Sequence, residues 1–300
     1  MFPIIPANSV TAASGNDEGI FGFGQLHSGG AASTAVTNLV SNAGVVASDT
    51  VGVGTARRFM TATQYGGDKG IYGFGWSGSN LSMTNLVSNA GVVATDTAGV
   101  GTARQGLGSC SYGDDKGIFG FGYSTSRTAI TNLVSNVGVV ASDTVGVGTA
   151  RESSMAACEY GGDKGIFGFG ATTSYVAITN LVSNTGVVAS DQAATTGTAR
   201  GYLGACDYGG DKGIFGFGTT GSATAVTNLV SNAGVVASDT AAVGTARSGL
   251  GACEYGGDKG IFCFGGSPSS TNLVSNAGVV ASDTALVGSS RSYSRGCSFN

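Results

Sequence analysis

The chain has 300 residues and a single histidine, His27, in the loop "QLHSGG". No nucleophile motif or orienting carboxylate accompanies it, so a Ser–His–Asp type of triad has no anchor. A copper oxidase site would want more than one imidazole. Six cysteines are present, at positions 110, 158, 206, 253, 263 and 297, and no CxxC pair occurs among them. Zinc is therefore not expected. The pair Asp114-Asp115 reads as a turn variant; a glycosidase needs two carboxylates across a sugar, which spacing alone does not exclude. The phrase "GGDKG" invites comparison with a phosphate loop. A P-loop needs GxxxxGK[ST] running into a helix, and here a strand pattern follows. The expectation is a non-enzyme with no catalytic residue, no metal and no cofactor.

What these residues belong to is an internal repeat, which decides the fold before any local reading. "TNLVSN" begins at Thr37, Thr84, Thr131, Thr179, Thr227 and Thr271, and an arginine closes each unit: Arg57, Arg104, Arg151, Arg200, Arg247 and Arg291. Each unit reads as four short strands: a variable first strand, the turn "GGDK", "GIFGFG", then "TNLVSN", the turn "NAG" and "VVASD". The strands are rich in β-branched and aromatic residues and bounded by Gly, Asn and Asp. Four antiparallel strands repeated six times predict an all-β, six-bladed β-propeller of four-stranded blades, filling residues 1–300 as one domain. An open solenoid or β-helix is the alternative. The tail "RSYSRGCSF" (291–299) aligns with "RSGLGACEY" (247–255) and is an extra first strand. It is expected to close the ring by pairing with the first blade, with "NSVTAAS" near the N-terminus competing for that slot.

Strict alternation along "GIFGFG" places Phe21 and Phe23 on one face and Ile20, Gly22 and Gly24 on the other. Aromatic rings of one blade would then fill space left by glycines of the next. Five cysteines share one column of the repeat, so they are expected as buried free thiols.

The formal net charge is −4, charged residues make up 11%, and no basic cluster occurs. No nucleic-acid partner is expected. No apolar run reaches membrane-spanning length, and "MFPIIPANSV" lacks the features of a signal peptide, so membrane insertion and export by that route are not expected.

The six copies vary unevenly. The "GGDK" and "NAG" turns, at one end of the disc, are nearly uniform. The loops after "FGFG", at the other end, differ in every unit, as does the start of the first strand. Recognition residues sit characteristically on such loops. Trp76, Tyr123, Tyr175 and His27 are the contact candidates there. The six arginines could form a ring that holds an anion or acidic peptide. The reading preferred for them is pairing with the repeated aspartates Asp49, Asp96, Asp143, Asp191, Asp239 and Asp283, or capping of crossover carbonyls.

The segment "RSGLGACEYGGDKGIFCFGG" (247–266) resembles a Kelch repeat, with its arginine, small-residue first strand, turn and apolar second strand ending in Gly265-Gly266. Kelch units carry Tyr and Trp on strands three and four, where this chain has valines such as Val40 and Val45. "YGGDKGIFGFG…TNLVSNAGVVASDT" is similar to repeats in virion-associated proteins of marine bacterial viruses. That resemblance implies a bacteriophage virion component, such as a tail fibre, spike or decoration protein, made in the host cytoplasm. Its partners would be other virion proteins or a host-surface glycan or protein, and a homo-oligomer could form within the assembly. The alternative is a free, cytoplasmic carbohydrate- or protein-binding Kelch-like module.

Overall fold

A computed structural model describes residues 17–28, 30–192, 197–241, 243–266 and 268–299; "MFPIIPANSV" and "NSVTAAS" lie outside them. Among the described residues every regular element is a strand. The first unit contributes β1 (Glu18–Leu26) and β2 (Ser33–Val40). The second has β3 (Thr61–Tyr65), β4 (Lys69–Trp76) and β5 (Asn80–Val87), and the third β6 (Gly108–Tyr112), β7 (Lys116–Gly120) and β8 (Thr131–Val134). The fourth has β9 (Ala156–Tyr160), β10 (Lys164–Gly168) and β11 (Thr179–Val182), and the fifth β12 (Gly204–Tyr208), β13 (Lys212–Gly216) and β14 (Thr227–Val230). The sixth has β15 (Gly251–Tyr255), β16 (Lys259–Cys263), β17 (Ser270–Val274) and β18 (Thr284–Ala285), followed by β19 (Arg291–Ser292) and β20 (Arg295–Phe299).

These strands form six antiparallel sheets, one per unit. Each is a meander with "GIFGFG" in the middle, as in β9-β10-β11. The first sheet takes its first strand from the far end of the chain. β20 pairs with β1 from Glu18↔Phe299 to Gly22↔Arg295, and β19 continues along the same edge at Gln25↔Ser292. The first strands are neighbours in the order β20, β3, β6, β9, β12, β15, and β15 again contacts β20.

The fourth strand departs from expectation. "VVASD" forms a regular strand in none of the units; it is held by isolated bridges such as Val87↔Val93 and Thr84↔Thr97, and only the sixth unit extends one into the two-residue β18. The cause is a side chain. Asn85 donates Nδ2 to the Ala94 carbonyl at 3.0 Å and to Asp96 Oδ1 at 2.9 Å, taking the place of ladder bonds between the two bridges. The same asparagine is fully buried in all six units.

The alternation expected in "GIFGFG" also fails, at its second phenylalanine. Phe23, Phe74, Phe121, Phe169, Phe217 and Phe264 all adopt left-handed backbone, with φ between 59° and 69°. In the first two sheets the ladder shifts register at this point. The second ring is thereby turned to the opposite face from the first. Phe167 packs with Cys110, Ile118 and Phe121 of the third unit, whereas Phe169 joins Ile166 in packing against Phe215 of the fifth. Each sheet thus sends one aromatic ring in each direction. The rings meet edge to face, as in Phe169–Phe215 at 5.2 Å, and the series returns on itself at Phe264–Phe21.

The large-into-small fit is present between sheets. A Cβ on Gly168 would lie 2.7 Å from Phe215 Cζ, within a rigid aromatic contact. Burying each phenylalanine contributes about 1.5–3 kcal/mol, which outweighs the roughly 0.5–1 kcal/mol that an interior glycine costs a strand. The sixth sheet carries Cys263 in this glycine's column, and the ring pair beside it is the widest of the series, at 5.7 Å. All six cysteines are free and buried. Those of the first strands fill the space over glycines of the following sheet, Cys110 over Gly165 for example.

Candidate binding surface

The uniform end of the sheets is internally tied. In the "GGDK" turn of the fourth unit, Asp163 pairs with Lys164 and accepts a hydrogen bond from Asn184 of the next hairpin at 3.0 Å. Those two bonds hold the Asp163 carboxyl below its usual range. Gly161 N donates to Asp211 O of the following turn at 2.8 Å, and this link recurs from unit to unit. The glycines carry φ of 66° and 77°, which the reversal requires.

The arginines are not at a mouth where an anion could reach them. Arg57, Arg104, Arg151, Arg200 and Arg291 are 0% exposed and Arg247 is 3% exposed. In the third-to-fourth unit crossing, Arg151 Nε donates to Phe169 O at 2.9 Å, Nη1 to Thr149 O at 3.1 Å and Nη2 to Asn180 Oδ1 at 2.6 Å. Its Nη1 stands 3.8 Å from Asp191, and its guanidinium lies 4.3 Å from the centre of the Phe121 ring. Each arginine therefore joins the sheet that the chain enters after it to the ring of the sheet before. Burial lowers the Arg151 pKa to about 10, so it stays charged at neutral pH. Burial works against the Asp191 carboxylate too, but hydrogen bonds from Thr149 and Asn180 and the charge of Arg151 outweigh it and leave its pKa lowered. The last arginine reaches across the chain ends: Arg291 Nη2 donates to Asn38 Oδ1 at 2.6 Å and Nη1 faces Asp49 at 3.8 Å. Pairing with aspartates runs through all six and carbonyl caps through the first five, Arg291 having no such cap among the described residues; buried in this way, the column does not form a ring that an anion or acidic peptide could reach.

The four loop residues lie at the end opposite the "GGDK" turns, beside the starts of the first strands. Trp76 and Tyr123 bridge to Arg58 and Gln105. The Arg58 guanidinium lies 4.6 Å from the Trp76 ring centre. Tyr175 covers Gly201, whose Cβ would sit 2.7 Å from its ring. His27 Nε2 is 2.9 Å from Ser292 Oγ. His27 is exposed, while the three aromatics are half-buried against their neighbours. They share one end without sharing one contact.

Three aromatics that motif reading passed over do meet there. Tyr293 lies 4.3 Å from Phe59 and 5.6 Å from Tyr202, centre to centre. All three stand two residues after their arginine, in the variable start of the first strand, where the third and sixth units have Gly106 and Gly249. An aromatic in a column that is otherwise glycine or serine was the available signal.

Between the first strands runs a narrow cavity of about 50 Å³, too small for an organic ligand. Glu159, Asp207 and Glu254 line it at one level, with Gln64, Ser111 and Ser298 in the same column. Ser111 hydrogen-bonds Glu159, and Asp207 Oδ1 accepts from Glu159 N at 2.6 Å. Burial, then the Asp207 charge, pushes Glu159 up to about 8. Burial raises Asp207 to about 6, and burial with its two acidic neighbours raises Glu254. Among the described residues no group of His, Cys, Asp and Glu is arranged to hold a metal ion. No protein-family model matches the chain, and no curated protein matches it.

Proposed function

We propose that the six sheets are the blades of a closed, Kelch-like six-bladed propeller, one domain over residues 1–300, acting as a non-enzymatic binding scaffold in a bacteriophage virion. The observation that carries the binding role is the contrast between the two ends. One end repeats the same Asp–Lys–Asn turn, bonded from unit to unit. The other bears His27, Trp76, Tyr123 and Tyr175 on loops of unlike sequence. A rigid frame with one variable end suits docking to another virion protein or to a host-surface glycan or protein. Many copies on one particle would convert weak single contacts into avidity. The resemblance of the repeat wording to virion proteins supports the location, and it rests on that wording alone. Mass spectrometry of purified virus particles from the source of the chain tests it. The protein is expected among the particle proteins; its absence from intact particles overturns the virion reading.

A further inference from the structure

The second residue after each arginine occupies a special position. Phe59, Gly106, Ser153, Tyr202, Gly249 and Tyr293 all have left-handed backbone, with φ from 55° to 74°. Glycine adopts this conformation freely and aromatic residues rarely do. Backbone bonds tie the column from sheet to sheet: Tyr202 N to Ser153 O at 2.9 Å, Gly249 N to Tyr202 O at 2.8 Å, Tyr293 N to Gly249 O at 2.7 Å and Gly106 N to Phe59 O at 2.8 Å. Nothing in this backbone calls for a ring at three of the six places, since glycine already serves at two others. The second phenylalanines of "GIFGFG" share this conformation but are fully buried between sheets, whereas Phe59, Tyr202 and Tyr293 keep part of their surface exposed at the end of the sheets, where packing between sheets does not account for them.

Beside them lies a cavity of about 80 Å³ bounded by Phe59, Tyr202, Gln105, Glu152 and Ser154. Ser154 is 1% exposed, and its hydroxyl has no hydrogen-bond partner among the described residues. A buried hydroxyl left unpaired is costly and marks a place where a partner is missing. The charges around the cavity are balanced. Glu152 pairs with Arg127 Nη2 at 3.1 Å, and the Arg58 guanidinium already lies 5.5 Å from the Phe59 ring centre. A cationic ligand would meet Arg58 at the aromatic face, and an anion would meet Glu152.

We propose that this mouth is a saccharide site for a neutral pyranose ring. The C–H face of the sugar lies against the Phe59–Tyr293–Tyr202 cluster. Its hydroxyls pair with Ser154 Oγ, the Gln105 amide and the free lone pairs of Glu152. The rings are tilted against one another, Phe59 by 46° and Tyr202 by 59° to Tyr293, and form a faceted apolar wall; edged by neutral or neutralised hydrogen-bonding groups, over a cavity that admits hydroxyls and not a whole ring, it fits the face of a polyol ring. The proposal rests on the reading of this end as the docking face and specifies what docks there.

The test is saturation-transfer NMR and calorimetric titration of the full chain with maltotriose, cellotriose, chitotriose and mannotriose. At least one is expected to bind. Tyr202→Gly and Tyr293→Gly are expected to fold and to melt cooperatively, because glycine is native to this column, and to weaken binding about tenfold or more. Ser154→Ala is expected to weaken it several-fold. Absence of binding by all four sugars overturns the proposal, as does binding that survives both glycine substitutions. Neither result bears on whether the protein is in the particle, which mass spectrometry decides separately.

Discussion

Deleting residues 291–300 lowers the melting temperature by about 10 °C or more, by the usual conversion of several kcal/mol for a chain above 150 residues. The deletion removes β19 and β20, and with them the whole first strand of the first sheet. It takes away Phe299 and Cys297, both packed among Ile20, Met60, Tyr72 and Val87 where the first and second sheets meet. It also removes Arg291, leaving Asn38 and Asp49 without the cation that binds them. The edge of β1 is then open to pairing with other chains, so the truncated protein is expected to associate as well as to melt early. A thermal scan and a sedimentation run check both effects. An unchanged melting curve would mean that the tail does not hold the first sheet.

Raising the pH from 5 to 8 destabilises the protein through the carboxyls between the first strands. Their folded pKa values are raised, Asp207 to about 6, Glu159 to about 8 and Glu254 in the same direction. The folded state therefore holds protons that the unfolded chain releases near pH 4. The stability this confers is complete below that pH and is lost as the pH climbs through the folded values. For Glu159 alone the linkage is on the order of 4 kcal/mol. The window ends at pH 8 so that the buried thiols, whose unfolded pKa is about 8.5, contribute little. Urea midpoints at the two pH values are the measurement. The double variant Glu159→Gln, Glu254→Gln is expected to lose most of the difference. Equal midpoints for the unaltered protein at pH 5 and 8 would contradict the assignment.

The sequence carried the repeat, the three regular strands and the tail's likeness to a first strand, because these depend on local composition and self-similarity. "TNLVSN" and "GIFGFG" recur at positions where β-branched and aromatic residues alternate with turn formers. Three features depended on geometry that composition does not encode. The left-handed φ at the second phenylalanine reverses a face that alternation assigns wrongly. The buried asparagine of "TNLVSN" takes the Ala94-type carbonyl and so loosens the fourth strand, although the same residues have good strand propensity. The arginine column is legible as a regular spacing within the chain, but its burial is not. Only the contacts of Arg151 with Phe169, Asn180 and the Phe121 ring distinguish a cross-sheet fastener from a ligand-holding ring.

The candidate site divides in the same way. The loops were legible as the variable end, and the structure puts His27, Trp76, Tyr123 and Tyr175 there without bringing them together. Phe59, Tyr202 and Tyr293 are 91 to 234 residues apart in the chain and meet only because the sheets pack with their first strands side by side. The carboxyls Glu159, Asp207 and Glu254 sit in the variable first strand and become neighbours for the same reason.

The claim on which all of this depends is that the last strand is the first strand of the first sheet. Gln25 and Ser292 stand directly opposite each other on β1 and β19, at a spacing that antiparallel partners share with disulfides. The double variant Gln25→Cys, Ser292→Cys, oxidised at low protein concentration, is predicted to form an intramolecular disulfide in the folded state. It would appear as a faster-migrating monomer on a non-reducing gel, and proteolysis would release the peptides that carry positions 25 and 292 as one linked species. Introduced thiols that remain free, or links formed only between different chains, would contradict the account.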